Sequence, residues 1–551
     1  MSATDHPSSA TAAENADRRW LFWACFVALI ATSFSFIIRA FVVDDWAGQF
    51  DLSETQKGEL LGVGLWPFAI SIVLFSLVID RVGYGKAMVF AFVAHAVSVV
   101  ITIFARDYWW LYVGTFINAL ANGTVEAVIN PVVASVYRKQ KTRWLNILHA
   151  GWPAGLVLGG LLTLALSPDG VLAGFFEGQR ASVWKWQVAL VLIPTLVYGL
   201  MMLRVRFPVS ERVAAGVSYR AMLREAGVIG AWIVTFLIVY ELNRVFLSGW
   251  FADQELGFWA IVGINAAAAA ALVVPYAIYV KFALGRGLFI LLVALMIPLA
   301  TTELGTDAWI KELMEQVMRE AYGLSGLWVL IYSASIMMVL RFGCAPLVRY
   351  LGPLGVLALS SAFAAVGIAF MSQATGAYLI PLAATIYAVG QTFFWPTTLG
   401  VVAERFPRGG ALTLNAIAGV GMLGVGIIGA QFLGFVQDKQ MTAELADRAP
   451  ALYQEVVEDE PKMSLFGPYR SLDAQAVKAL AEEPAETVEQ TKAAARRDAL
   501  LIVSSLPAGM LLVYLLLIAW FRSRGGYRAE DLTTAGEDAE TYTGGVEGPV
   551  E

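Results

Sequence analysis

Gly123-Thr-Val-Glu-Ala-Val-Ile-Asn-Pro131 and Gly390-Gln-Thr-Phe-Phe-Trp-Pro396 are the two stretches whose comparison decides the fold. Each lies in an apolar block and is followed by a basic loop, Arg138 to Arg143 or Arg405 to Gly410. A Leu-Asn pair comes next, Leu145-Asn146 or Leu414-Asn415, and then a glycine-rich run, Gly151 to Gly160 or Gly419 to Gly429. Aligned on the prolines, Glu126 falls opposite Gln391. An echo of this kind marks two related halves, and in a membrane protein the interface between halves is where a solute site is built.

The composition demands lipid. Of 551 residues, 58% are apolar and 15% charged, against roughly 45–50% and 25% in soluble domains. The apolar residues come in blocks of about 20, the length that crosses a bilayer core. Working outward from the two quoted stretches, the first six spans fall at about 20–43, 59–79, 87–105, 109–136, 144–167 and 183–203. The second six fall at 287–303, 322–341, 354–372, 376–402, 412–436 and 498–521, with two further blocks, 228–248 and 258–280, between the sets. The fold class is therefore an all-α polytopic membrane protein, with two six-helix pseudo-symmetric halves and two extra middle helices, about 14 transmembrane helices in all.

Loop charge supports that count. With the N-terminus inside, every inside loop carries Lys or Arg: Arg81 and Lys86, Arg138 to Arg143, Arg204 to Arg224, Lys281 and Arg286, Arg341 and Arg349, Arg405 and Arg408, and Arg522 to Arg528. Outside loops such as 248–257 carry none, and removing one middle block would put the later basic loops on the wrong side. The expected organisation is a disordered cytoplasmic tail over 1–19, an N-terminal half over 20–203, a linker with the two extra helices over 204–286, a C-terminal half over 287–521, and a cytoplasmic tail over 522–551. Residues 1–17 lack the basic-then-apolar order of a cleavable signal. The polar segment 437–497 falls outside and reads as a solvated cap over the outer mouth, or as a partner or solute-capturing domain. The expected location is the cell inner (plasma) membrane, with both termini cytoplasmic.

These features resemble the major facilitator superfamily, whose members have two six-helix halves and a G-x-x-x-D-R-x-G loop after the second helix. Asp80, Arg81 and Gly83 match that gating loop, with Ser76 in place of the leading glycine and the second basic residue displaced to Lys86. Glu126, Asn130 and Pro131 are similar to the fourth helix of the proton-coupled fucose and hexose permease branch, where the glutamate takes part in sugar and proton handling. That branch carries an acid in its first helix, where this chain has Arg39. Fourteen-helix members such as some drug exporters and peptide symporters have similar middle helices.

Glu126 is the leading site residue, because an ionisable group within a span costs about 2.5–3.5 kcal/mol and so faces a wet cavity or a partner. It can hydrogen-bond solute hydroxyls or take and release a proton; the structural alternative is a protonated acid bonded to a backbone carbonyl. His149 is a second proton-coupling candidate, with a packed, hydrogen-bonded histidine as the alternative. His95 is a weaker one. Arg39 is either a fork-shaped donor for an anionic solute or a snorkelling side chain satisfied by Asp44 and Asp45. Asn122, Asn130 and Gln391 offer neutral hydrogen bonds to a solute, and Trp66, Tyr387 and Trp395 offer faces to stack on. Glu241 and Arg244, spaced i,i+3, read as a structural pair.

The expected function is secondary active transport of a small polar solute, a sugar or related hydroxylated metabolite, by alternating access with proton coupling. An organic-anion transporter or exchanger using Arg39 is the alternative of the same fold, and a non-transporting sensor or scaffold the alternative of another class. No nucleophile, base and orienting group cluster together, so an enzyme is not indicated. The two cysteines, Cys25 and Cys344, have no metal-ligand spacing. No cofactor, metal or nucleic-acid partner is expected; the partners are solute, protons and the bilayer.

Overall fold

The computed structural model describes residues 9–532 apart from 168–169, 177–181, 255, 307–317, 320–321, 324–326 and 375. The membrane helices are α1 (Ala16–Phe50), α2 (Gln56–Val82), α3 (Tyr84–Ile103), α4 (Tyr108–Val136), α5 (Arg138–Leu166), α6 (Val183–Met202), α7 (Tyr219–Phe246), α8 (Phe258–Tyr279) and α9 (Gly287–Gly305). There follow α10 (Leu327–Phe342), α11 (Cys344–Gln373), α12 in two pieces (Gly376–Gln391 and Phe394–Arg405), α13 (Pro407–Arg448) and α14 (Glu483–Ser523). Twelve of these are each long and apolar enough to span a membrane among the described residues. The exceptions are α10, a short 16-residue helix, and α12, which is broken at Thr392 and Phe393. Counting both as crossings gives the arrangement of six, two and six. The chain is a multi-pass membrane protein.

Glycines set two of the turns. The loop after α2 turns at Gly83 (φ 85°), and its counterpart ahead of the membrane part of α11 turns at Gly352 (φ 68°). Both are in the left-handed region that a side chain disfavours. α7 and α8 are flank helices. In each, at most a third of the apolar window is covered by protein, so the rest of their apolar surface is left for lipid.

One expectation, the disordered N-terminal tail, is corrected. The N-terminal stretch is helical from Ser9, because its Ala-rich sequence has good helix propensity and is continuous with α1; residues 1–8 lie outside the described residues, as do 533–551 of the C-terminal tail. Described tail residues Tyr527, Arg528 and Glu530 are packed against the bundle: the Glu530 amide donates to the Glu404 carbonyl at 2.8 Å and Arg405 donates to the Arg528 carbonyl at 2.6 Å.

Segment 437–497 is folded. α13 continues to Arg448 and α14 begins at Glu483, enclosing a helix Pro450–Val456, an antiparallel hairpin Lys462–Ser464 with Gly467–Tyr469, and a helix Ala474–Ala479. Met441, Val488 and Ala495 form one small apolar core there, and Leu445, Val456 and Val457 another.

Candidate functional site

Prolines build the site by freeing carbonyls. A proline within a helix lacks an N–H and leaves the carbonyl four residues earlier unpaired, and in a membrane that carbonyl must find another donor. Pro131 frees Ala127 and Pro153 frees His149, while the Thr392 carbonyl is left unpaired by the break in α12. Each carbonyl is met by a side chain: Asn415 Nδ2 donates to Ala127 O at 3.0 Å, Arg341 Nη1 to His149 O at 2.7 Å, and Arg341 Nε to Thr392 O at 2.7 Å. Asn415 lies on α13 and Ala127 on α4, while Arg341 lies on α10 and His149 on α5. Two of the three bonds therefore join one half to the other.

Arg341 also pairs with Glu303, Nη2 to Oε1 at 3.2 Å, and both side chains are buried. Glu303 sits in a π-helical turn, Thr301–Gly305. Such a widened turn disturbs the regular backbone pairing and is often found at functional sites. Tyr387 hydroxyl bonds the Thr302 carbonyl there at 2.6 Å.

Glu126, His149, Glu303 and Arg341 line one cavity with Phe68, Trp152 and Trp395. Asn130 joins two of them: its Nδ2 donates to Glu126 Oε2 at 2.6 Å, and its Oδ1 lies 2.9 Å from His149 Nε2. His149 Nε2 is therefore the donor, since an amide oxygen only accepts. Two acids, a histidine, an arginine and three aromatic rings thus meet where the halves join. That arrangement can hydrogen-bond a polar solute, stack on its apolar faces and move a proton.

The sequence-selected residues divide. Glu126, His149 and Trp395 line the cavity, and Asn130 bridges two of its walls. Gln391 is fully buried at the end of the first piece of α12, beside Thr392. Tyr387 is spent holding the π turn, so it supports the site and does not present its hydroxyl to a solute. Trp66 lies elsewhere, against Phe116 and Phe246 at ring separations of 5.5 and 5.9 Å, because the middle helix α7 covers it. Asn122 belongs to a separate buried network, in which its Oδ1 accepts from His95 Nε2 at 2.8 Å. His95 Nδ1 lies 3.0 Å from the Tyr198 hydroxyl, and Asn122 Nδ2 donates to Ser35 Oγ at 3.0 Å.

Arg39 lines a different pocket. Arg39 is buried and does not reach the interface, and no ion pair joins it to Asp44 or Asp45 among the described residues; Asp44 pairs instead with Lys57 at 2.7 Å. Arg341, expected in a basic loop, is buried in the central cavity. Glu303, which closes an apolar block, is the other site residue that sequence reasoning missed. Its signal in the sequence was only an acid at the very end of that block.

The basic-loop end is closed between the halves. Lys141 pairs with Glu211 at 2.6 Å and donates to the Ala403 carbonyl at 3.0 Å. Thr142 Oγ1 donates to Glu404 Oε1 at 2.5 Å, and Asn146 Nδ2 to Thr397 Oγ1 at 3.2 Å. A Cβ on Gly400 would lie 2.7 Å from the Thr142 Cα, so this approach requires glycine. In the gating loop Asp80 pairs with Arg212 of the linker, and Arg81 lies over the Tyr219 ring at 5.7 Å. Gly83 supplies the turn. The middle helices hold the expected pair, Arg244 with Glu241 at 2.6 Å.

Two half-bundles closing on a shared polar cavity define a transporter architecture. The chain belongs to the Major Facilitator Superfamily, whose family description matches residues 23–430. It is similar to the gentisate transporter of Corynebacterium glutamicum, 25% identical over 173 residues, or 31% of this chain and 37% of that protein. The chain thus aligns with little more than a third of that relative's length. Among solved structures it is similar to the proton:xylose symporter XylE bound to 6-bromo-6-deoxy-D-glucose, with a TM-score of 0.61 at 14% identity over 94% of this chain and 99% of that one. It is also similar to the E. coli fucose:proton symporter FucP, with a TM-score of 0.50 at 14% identity over 88% and 98%. At such identities the likeness is one of fold.

Proposed function

We propose that this chain is a secondary active transporter that carries a small, polar, hydroxylated solute, a sugar or a relative of one, together with a proton by alternating access. The observation that carries this reading is the Glu126–Asn130–His149 chain opening into the cavity that Arg341 and Glu303 share. Glu126 is the proton carrier, and Asn130 orients it and His149. Trp152, Trp395 and Phe68 offer the apolar faces of a sugar-like solute their stacking surfaces. Arg341 is already bonded to Glu303 and two carbonyls, which favours a neutral cargo in this cavity over a carboxylate.

The basic-loop end is the cytoplasmic one, with both termini on that side of a cell inner (plasma) membrane. The closed contacts of Lys141, Thr142 and Asn146 are then the inner gate. The segment 437–497 is an extracytoplasmic cap. Uptake of a panel of sugars, polyols and aromatic acids into proteoliposomes, with and without an imposed proton gradient, tests the proposal. Gradient-dependent accumulation of a hydroxylated neutral solute is the expected result. Accumulation of acids alone would instead support anion transport, and no uptake of any solute would support a sensor or scaffold.

A further inference from the structure

Two buried donors on one face of α1 lack acceptors. Arg39 Nε and Trp46 Nε1 are buried with no hydrogen-bond partner, and their side chains are 6% and 2% exposed. Seven residues apart, they lie two turns from each other on the same helix face, and both line one pocket in the N-terminal half. Guanidinium and indole nitrogens donate and never accept. What completes them must be an acceptor.

The pocket supplies none of the right charge. No carboxylate lines it, and none pairs with Arg39 among the described residues. Three lining hydroxyls have already given their protons to helix carbonyls: Ser35 to Thr32, Ser98 to His95 and Thr102 to Ser98, at 2.8 Å each. The Asn118 amide donates to Ser98 Oγ at 3.1 Å. The guanidinium rests against Gly64, where a Cβ would collide with it, and lies 5.5 Å from the Phe36 ring. A weak ring contact does not neutralise a buried cation, which needs a paired charge.

We infer that this pocket is a binding site for a small monovalent anion, held by Arg39 and Trp46. It is separate from the central cavity, with which it shares no lining residue. The same chemistry serves a free halide or the carboxylate head of a small acid. The site does not depend on the cargo of the central cavity.

The test uses the purified full-length protein at constant ionic strength, with a bulky sulfonate salt replaced stepwise by chloride, bromide or acetate while Tm and tryptophan emission are followed. A saturable rise in Tm with at least one of the three small anions is expected in wild type, because a ligand bound only by the folded state raises its stability. Halide and acetate arms tell a free ion from a carboxylate. Arg39→Gln abolishes the rise. Trp46→Phe, which keeps the charge and the ring, raises the half-saturating concentration about tenfold or more, since it removes one bond to a charged ligand. Should Arg39→Gln not fold, Trp46→Phe carries the test alone. The same Tm in all four salts, a rise that survives Arg39→Gln, or unchanged half-saturation in Trp46→Phe would overturn the inference.

Discussion

Arg341 of the C-terminal half donates from Nη1 to the carbonyl of His149 in the N-terminal half, 2.7 Å away. That carbonyl is free because Pro153 follows it by four residues. The same guanidinium meets Thr392 O and Glu303, so one side chain ties together α5, α9, α10 and α12.

Removing that side chain leaves a buried carboxylate and two freed carbonyls unmatched. Arg341→Gln is expected to destabilise the protein by ~3–5 kcal/mol, the range for breaking one side of a buried ion pair, seen as a fall in Tm of the purified protein. Glu303→Gln added to it should recover part of the loss, because the uncompensated charge is then gone. Equal Tm values for wild type and Arg341→Gln would show that the pair carries no weight.

At the basic-loop end, Glu404→Ala removes the acceptor of Thr142 and also of Tyr527, whose hydroxyl lies 2.9 Å from it. A lost charge-assisted hydrogen bond is worth ~1.5–3 kcal/mol, enough to move the balance between closed and open states about tenfold or more. Thiol labelling of a cysteine placed at Asn146 should accelerate in this variant. Unchanged labelling would place the gate elsewhere.

The C-terminal tail clasps the same end. Glu530 pairs with Arg286 at 2.6 Å and with Arg405 at 3.2 Å. Burial, with the nearby Glu404 carboxylate, pushes the Tyr527 phenol well above its ordinary value. A raised phenol favours the neutral donor, so this part of the clasp is fully present below the usual phenol range and is lost only as pH rises above it. Ending the chain at residue 526 should therefore raise hydrogen exchange in the 404–410 segment at neutral pH, and exchange equal to that of the full chain would contradict this.

Gly421 backs a cavity ring. A Cβ there would lie 2.9 Å from both Trp395 Cη2 and Met296 Cε. Gly421→Ala must displace one of them, an overpacking that costs ~1–3 kcal/mol, and displacing Trp395 narrows the cavity. The half-saturating solute concentration should rise severalfold, with restoration when Trp395→Phe makes room. An unaffected concentration dependence would remove Trp395 from solute contact.

Much of the fold was legible because apolar length, basic loops and the proline-anchored echo all act locally along the chain. Glu126, Asn130 and His149 were legible for the same reason, as polar groups inside apolar blocks. Arg341 and Glu303 were not. Each ends an apolar block in the sequence, where hydropathy cannot tell a loop charge from a cavity charge; the short α10 and the π turn of α9 decide it. Trp66 and Arg39 have the right chemistry, but which neighbour covers a helix face is set by packing. The extra helix α7 takes Trp66, and the N-terminal half folds Arg39 into a pocket of its own.

Proton-coupled transport by this chain requires Glu126 to carry the proton. Proteoliposomes enclosing a pH-sensitive dye report solute-driven proton entry, and counterflow of labelled solute in the same vesicles reports exchange without net proton movement. Glu126→Gln should keep counterflow near the wild-type rate and lose solute-driven acidification, because the amide preserves shape and hydrogen bonding but cannot take up and release the proton. Acidification by Glu126→Gln at the wild-type ratio of protons to solute would contradict it.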